Sequence, residues 1–313
     1  MTRPLSCLAP HIAACGLLAL VIGAGCAPSD TPATDGSGET ASPHDDATAS
    51  TAALRIVSLG DGVTDTLCAL DLCAAIIAAD TSSDLLEERD DVVELAYYRM
   101  IAAEGVIALS PTHVVHMPTA GPAAALDQIR AAGIETIEVV EAISADEARL
   151  RVEQLGDAFD RTAEADTLVT QLASAEATLP GADAPDPTRV AFLYARGPTV
   201  LMIGGANTAA DAMIELAGLT NAFGDLDGFA PLTAEALVAA DPDVLIVPTA
   251  GLESLGGLDG LAAIPGVAST TAWDERRVVS MRDQALLSFG PSYPQSAREL
   301  ADRVHAAIDP AHP

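Results

Sequence analysis

Apolar residues in this chain fall into short blocks, and the period of each block predicts its structure. Arg55 to Leu59 reads as a short strand, followed by the turn residues Gly60, Asp61 and Gly62 and a helix from about Val63 to Leu70. Ala74 to Ala79 is a second buried-type strand, Glu104 to Ala108 a short helix and Thr112 to His116 a strand. Gly121 to Ala132 is a helix ended by Gly133, and Ile134 to Val140 is a strand. The order then recurs. Strands are predicted at Arg189 to Tyr194, Val244 to Val247 and Arg277 to Met281. Helices are predicted at Thr208 to Ala217, Thr233 to Ala240, Leu258 to Ala263 and Ser292 to Ile308. Between the halves, Ser144 and Glu147 form a capping box, and Ser144 to Leu179 reads helical in two pieces broken near Gly156 to Arg161.

Strand and helix alternating through short loops predict an α/β fold with parallel-type central sheets flanked by helices. The expected organisation is an N-terminal lobe at 54–143, a helical linker at 144–181 and a C-terminal lobe at 182–309 that opens with a Pro- and Asp-rich connector. Ligands of open parallel sheets bind outside the carboxyl ends of the strands, so two facing sheets make a cleft. A helical strut between lobes permits only a modest hinge.

The first residues carry a different pattern. Arg3 precedes an apolar, small-residue segment from Ile12 to Gly25 that ends at Gly23-Ala24-Gly25-Cys26. This predicts a secretory signal peptide over 1–25, too short and glycine-rich for a spanning helix. The small residues before Cys26 resemble a bacterial lipobox, although Gly23 stands where a branched aliphatic residue is usual and Ile22 lies one place early. Ala27 to Thr51 has no apolar period and is almost entirely Ser, Thr, Ala, Asp, Gly and Pro. A lipidated Cys26 and a disordered tether over 26–53 are therefore expected. The alternative is ordinary secretion with an incidental cysteine, against which the tether directly after Cys26 favours the lipoprotein.

The chain has 313 residues, half of them hydrophobic, and a formal charge of −30. All 15 basic residues are arginine. Nucleic acid is excluded as a partner, because phosphate binding needs clustered cations. Loose attachment to anionic lipid is disfavoured too, which leaves the lipid anchor as the membrane contact. Cys68 and Cys73 remain in an oxidising compartment five residues apart, either as a disulfide or as two buried thiols. No G-x-S-x-G, P-loop, H-E-x-x-H or C-x-x-C motif occurs. Gly204-Gly205 before the helix at Thr208 suits an anion or, more simply, a tight turn.

Arg55-Ile-Val-Ser-Leu-Gly followed by Val63-Thr64-Asp65 resembles the start of the helical-backbone (class III) substrate-binding proteins, which serve ABC importers of cobalamin, ferric siderophores and haem. AYYRMIAAEGVIALSP (Ala96 to Pro111) resembles the haem-binding branch, whose members carry a Tyr-x-Arg before a Leu-Ser-Ala-Glu-Gly-like run. AGPAAALDQIRAAGI (Ala120 to Ile134), NTAADAMIELAG (Asn207 to Gly218), PLTAEALVAADPDVLIV (Pro231 to Val247), GLESLGGLDGLAAIPGVA (Gly251 to Ala268) and SFGPSYPQSARELA (Ser288 to Ala301) extend the likeness over nearly all of residues 54 to 308.

The resemblance implies a monomeric, non-catalytic lipoprotein on the outer side of the cell membrane. It would hold haem in the inter-lobe cleft and deliver it to a permease dimer driven by a cytoplasmic ATPase. Tyr97 aligns with the family's axial haem tyrosine, and a phenolate is a hard donor suited to ferric iron. A free phenol has a pKa near ~10, so ligation needs help, and Arg99 aligns with the arginine that supplies it by a charge-assisted hydrogen bond. Read without the resemblance, Tyr97 and Tyr98 are a loop pair, one packed and one exposed, and Tyr98 competes for the ligand role. His116, Met117, Tyr194, Arg196 and Phe289 fall where strands should open into the cleft. His116 suits a second ligand or a propionate partner, Arg196 a propionate, and Met117 and Phe289 an apolar macrocycle.

Glu104 and Glu235 stand in the first turns of matching helices, one per lobe, and align with the glutamates that meet permease arginines. Complementing the helix dipole explains either one equally simply. The chain departs from the haem pattern at Ala206 and Ser292, where polar or basic residues are common. Those departures keep a corrinoid or a ferric siderophore in play as the ligand. A haem scavenger without a permease and an exported haem- or metal-handling enzyme are further alternatives.

Overall fold

The computed structural model describes residues 53–60, 62–181 and 188–309. The expected signal segment, Cys26, the tether through residue 52 and most of the 182–188 connector lie outside the described residues.

The N-terminal lobe runs β1 (Ile56–Leu59), α1 (Val63–Ala69), β2 (Ile76–Asp80), α2 (Leu85–Glu88), β3 (Val93–Leu95), α3 (Ala103–Ala108), β4 (His113–His116), α4 (Ala123–Ala131) and β5 (Glu135–Glu138). Its five strands lie in the order β3-β2-β1-β4-β5, with every neighbouring pair parallel. The central strand β1 is buried at all positions, as a parallel strand covered by helices on both faces must be. The edge strands β3 and β5 are partly exposed and carry Glu94, Glu135 and Glu138, charges that discourage further strand pairing. The sequence pattern missed α2 and β3, because the polar run Ser82 to Asp91 conceals the return to an edge strand that is itself half-solvated.

The linker is two antiparallel-packed helices, α5 (Ala145–Ala158) and α6 (Thr162–Glu176), broken where the sequence predicts. Ser144 caps α5 by accepting from the Glu147 N–H, and the Glu147 carboxylate accepts from the Ser144 hydroxyl and the Ile143 N–H. Gly156 lets the two helices close up, since a Cβ there would stand 2.4 Å from the Ala165 methyl.

The C-terminal lobe runs β6 (Arg189–Arg196), β7 (Val200–Gly204), α7 (Ala209–Leu216), β8 (Thr220–Asn221), β9 (Phe229–Pro231), α8 (Ala234–Ala240), β10 (Val244–Pro248), α9 (Thr249–Ser254), α10 (Leu258–Ala262), α11 (Thr271–Asp274), β11 (Val278–Met281), α12 (Asp283–Leu287) and α13 (Tyr293–Ile308). Six strands form its sheet in the order β11-β10-β6-β7-β9, with β8 also on β6. Only part of this sheet is parallel. β6 turns through Gly197 into an antiparallel hairpin with β7, and β9 adds to it antiparallel. The hairpin was hidden because β6 runs two residues beyond the apolar block, through Ala195 and Arg196, before the turn.

One apolar cluster runs without a break from the first lobe through the linker to α7 and α13, and a smaller one fills the far side of the second sheet. At the meeting of lobes and linker stands Arg151, wholly buried. Its Nη2 donates to the carbonyl oxygens of Phe289 at 2.5 Å and Ser288 at 3.2 Å. Gly62, at φ +68°, makes room, since a Cβ there would lie 2.6 Å from both Arg151 Nη2 and the Ser288 oxygen. Nearby, Glu176 of α6 pairs with Arg149 of α5 and accepts a 2.9 Å bond from the Tyr293 hydroxyl of α13. Burial, then this bond to a carboxylate, pushes the Tyr293 phenol well above its ordinary range. Replacing Arg151 by Met keeps its length and removes the charged donors from two buried carbonyls. The expected loss is about 3 kcal/mol, read as a lower urea midpoint at unchanged slope; an unchanged midpoint refutes this account of the junction.

Candidate functional site

A cleft of about 670 Å³ opens between the lobes, within the ~300–1,000 Å³ typical of small-ligand sites. Its lining comes from the segments that follow β2, β3 and β5 in one lobe; in the other it comes from the end of β6, from β7 and β9, from the start of α7, and from α9 and α12 after β10 and β11. Apart from the antiparallel β7 and β9, these are the carboxyl ends of parallel strands, where side chains from several loops converge.

The N-terminal wall is built on Asp80, the last residue of β2, whose carboxylate is completely buried. It accepts from the Gly60 N–H at 2.8 Å, the Tyr98 N–H at 3.1 Å, and both the N–H and the hydroxyl of Ser82. The tyrosine segment is also stitched to the loop after β4, where the Gly121 N–H donates to the Tyr98 carbonyl and the Ile101 N–H to the Gly121 carbonyl, both at 2.9 Å. On this scaffold Tyr97 is 43% exposed and Tyr98 only 4%, with ring centroids 4.4 Å apart. Arg99 lies over the Tyr98 ring, and its Nε donates to the Tyr98 hydroxyl at 3.1 Å. This bond gives Arg99 a partner, Tyr98, that the sequence reading did not assign to it. With the charge of both phenols and of Glu141 nearby, it raises the guanidinium pKa further.

The C-terminal wall is aromatic. Tyr194 and Phe229 meet edge to face at 6.2 Å, with Met202 beside them in the lining. Arg196 stacks on the Tyr194 ring and pairs with Asp283 at 3.2 Å. Two flat-faced aromatic walls, each with an arginine, suit a planar apolar ligand with acidic edges. Among the described residues no group of three or more His, Cys, Asp or Glu gathers to hold a metal ion. A bare cation needs such a group, whereas iron already held in a macrocycle needs only one or two axial donors.

Of the residues expected in the cleft, Tyr97, Tyr98, Arg99, Tyr194 and Arg196 line it together. His116, Met117 and Phe289 do not, and their expected cleft positions are corrected. His116 ends a central strand enclosed on both faces and is wholly buried. Its Nδ1 donates to the Met117 carbonyl at 3.0 Å, and its Nε2 has no hydrogen-bond partner among the described residues. Met117 packs under the β1 turn, where a Cβ on Gly60 would meet its methyl at 2.5 Å. Phe289 is stacked on Tyr293 in the Arg151 junction. Ala206 and Ser292 also stand off this lining. Cys68 and Cys73 are joined in a disulfide between the end of α1 and the start of β2. Glu104 and Glu235 are exposed in the first turns of α3 and α8. The α8 cap is made by Thr233, and neither glutamate has a hydrogen-bonding or ion-pairing partner among the described residues.

The lining residues that escaped the sequence reading include Glu141, Met202, Phe229 and Asp283. Asp80, which positions the tyrosines, escaped as well. A lone Asp ending an apolar strand, as in Ile76-Ile-Ala-Ala-Asp80, was the available signal.

Among solved structures, the chain resembles the periplasmic haem-binding protein RhuT of Roseiflexus sp. RS-1 in apo form. The TM-score is 0.78 and the identity 35%, covering 82% of this chain and 100% of that one. The periplasmic haem-binding protein HutB of Vibrio cholerae superimposes with a TM-score of 0.73 at 28% identity, over 80% and 98% of the two chains. In sequence, the uncharacterized ABC transporter substrate-binding lipoprotein YvrC of Bacillus subtilis (strain 168) is 25% identical over 80% of each chain. The family profile described as periplasmic binding protein matches residues 56–285, most of the chain, and this protein belongs to that family.

Proposed function

We propose that this is an extracytoplasmic solute-binding lipoprotein that captures haem between its lobes and hands it to an ABC permease, without catalysis. The observation that carries the reading is the pair of aromatic walls, with the exposed Tyr97 phenol on one and Tyr194 on the other, each beside an arginine. Similar chains named for haem binding support it. Tyr97 is the axial donor to ferric iron. Its ring is the accessible one of the pair, whereas the Tyr98 hydroxyl is already engaged by Arg99. Arg99 favours the Tyr97 phenolate by its charge, with Tyr98 holding the guanidinium in place.

Titration of the purified protein with hemin, beside a corrinoid and a ferric siderophore, tests the ligand class. Tyr97→Phe should abolish the ferric–phenolate charge-transfer absorption in a protein that stays folded, while Tyr98→Phe should act much less. Arg99→Ala should weaken binding about tenfold and raise the pH at which the phenolate spectrum develops, because the neutral phenol then ionises less readily. A wild-type spectrum in Tyr97→Phe removes the tyrosine from its role. If no hemin spectrum forms at all, a corrinoid or siderophore becomes the better reading.

Glu104 and Glu235 serve the permease. They are exposed, one per lobe, and neither lines the cleft. Replacing both by Ala should leave hemin affinity within about twofold, as for exposed surface changes, and abolish uptake in cells carrying the cognate importer. Full uptake, or lost binding, counts against docking.

Cys26 is the lipidated mature N-terminus. Intact-mass measurement of the protein from membranes should find a chain beginning at Cys26 with a diacylglyceryl modification; cleavage elsewhere with Cys26 unmodified sinks the anchor.

A further inference from the structure

Four charged groups line the cleft among the described residues: Arg99, Glu141, Arg196 and Asp283. They form one pair within each lobe, so their formal charges cancel before any ligand arrives. The pairs differ in tightness. Arg196 Nη1 donates to Asp283 Oδ1 at 3.2 Å, and Asp283 Oδ2 accepts from the Ala250 N–H at 3.3 Å. Asp283 is therefore fixed on both oxygens, and only a fifth of its side chain is exposed. In the other lobe Arg99 Nη2 stands 3.7 Å from Glu141 Oε1, beyond hydrogen-bond range. Glu141 Oε2 is engaged elsewhere, by the Thr119 hydroxyl at 2.9 Å. Half of each guanidinium side chain still faces solvent.

From this we infer that Asp283 is a specificity-determining residue: it is an internal counter-acid that occupies Arg196 in the empty cleft and is exchanged for a carboxylate of the ligand. The inference deepens the reading of the cleft as a site for a flat macrocycle with acidic edges, and rests on it for the ligand class. An acid group reaching Arg196 gains one charge-assisted bond at the expense of another, and it must also approach the Asp283 charge. The net selectivity for an acid over its ester is therefore small at this wall. At the Arg99 wall the looser pair leaves more to be gained, so Glu141 should matter less than Asp283.

The test measures dissociation constants of purified full-length protein for free-acid hemin and for hemin dimethyl ester. Asp283→Asn keeps the acceptor for the Ala250 N–H and removes the charge. It should tighten free-acid hemin roughly two- to five-fold, the span of one exposed ion pair, and leave the diester unchanged. Asp283→Ser should follow the same pattern, which guards against a folding defect peculiar to one variant, and Glu141→Gln should give a smaller gain. In an Arg196→Gln background the gain from Asp283→Asn should shrink to the part due to relief of repulsion alone, since the exchange then has no object. A gain undiminished without Arg196 overturns the exchange in favour of general repulsion. Weaker binding of acid and ester alike also overturns it, by making Asp283 a support for the wall. Titration with iron-free protoporphyrin and its dimethyl ester separates this idea from the iron ligation. The same acid-against-ester pattern there, with no phenolate spectrum from hemin, would overturn the Tyr97 assignment and support the counter-acid.

Discussion

A carboxylate taken wholly out of water must collect donors or give up its charge. Asp80 collects four, from Gly60, Ser82 and Tyr98, and so pins the turns after β1, β2 and β3 to one point. The tyrosine segment has little regular structure of its own beyond a single 3-10 turn at Tyr98–Met100. Its placement depends on this anchor and on the paired backbone bonds to Gly121. Rings held by backbone hydrogen bonds to rigid strand ends keep their geometry more closely than rings on a free loop. The Tyr98 ring, packed and bonded to Arg99, then acts as the spacer that sets where the Tyr97 phenol stands.

Much of the fold was legible because its central strands are apolar blocks and its helices are punctuated by capping and Gly signals. Ser144 with Glu147, Thr208 and Thr233 all cap helices where the pattern predicts. The missed strands were β3, β7, β8 and β9. β3, β7 and β9 are half-solvated, and β7 and β9 are antiparallel additions that an alternating strand–helix reading does not anticipate. In the site, the Tyr-Tyr-Arg run was visible through its resemblance to known haem binders. His116 and Met117 failed for a simple reason: a residue at the end of a strand can point into a covered face as readily as out of the sheet. Phe289 failed because a left-handed backbone, φ 45°, turns its carbonyl toward Arg151 and its ring toward Tyr293. Glu141 and Asp283 left no local signal, since their meaning comes from arginines 42 and 87 residues away in sequence.

The two lobes are joined by more than their linker. Their shared apolar cluster, the Arg151 junction and the Tyr293–Glu176–Arg149 network bind the last helix to both linker helices. Between the lobes, Arg282 pairs with Asp84, and at the cleft the Gln284 amide donates to the Ser82 carbonyl at 2.6 Å. Ser82 is also bonded to Asp80, so this lobe-to-lobe contact ends on the same anchor that holds the tyrosines. A cleft braced in this way is largely formed before the ligand enters, and binding then costs little reorganisation.

Charge imposes the remaining constraint. The chain carries −30 overall, so its long-range field does not draw in an anionic ligand. The cleft is locally balanced by its two arginine–carboxylate pairs, which cancels repulsion there without creating attraction. Capture of a planar, acid-bearing ligand must therefore rely on forces that act only at contact. On the proposed reading these are apolar burial against Phe229, Met202 and the tyrosine rings, and ligation by a phenol. Both favour the identity of the ring and its metal over the charge of its edge, which is the discrimination a metal-macrocycle binder on an acidic protein needs.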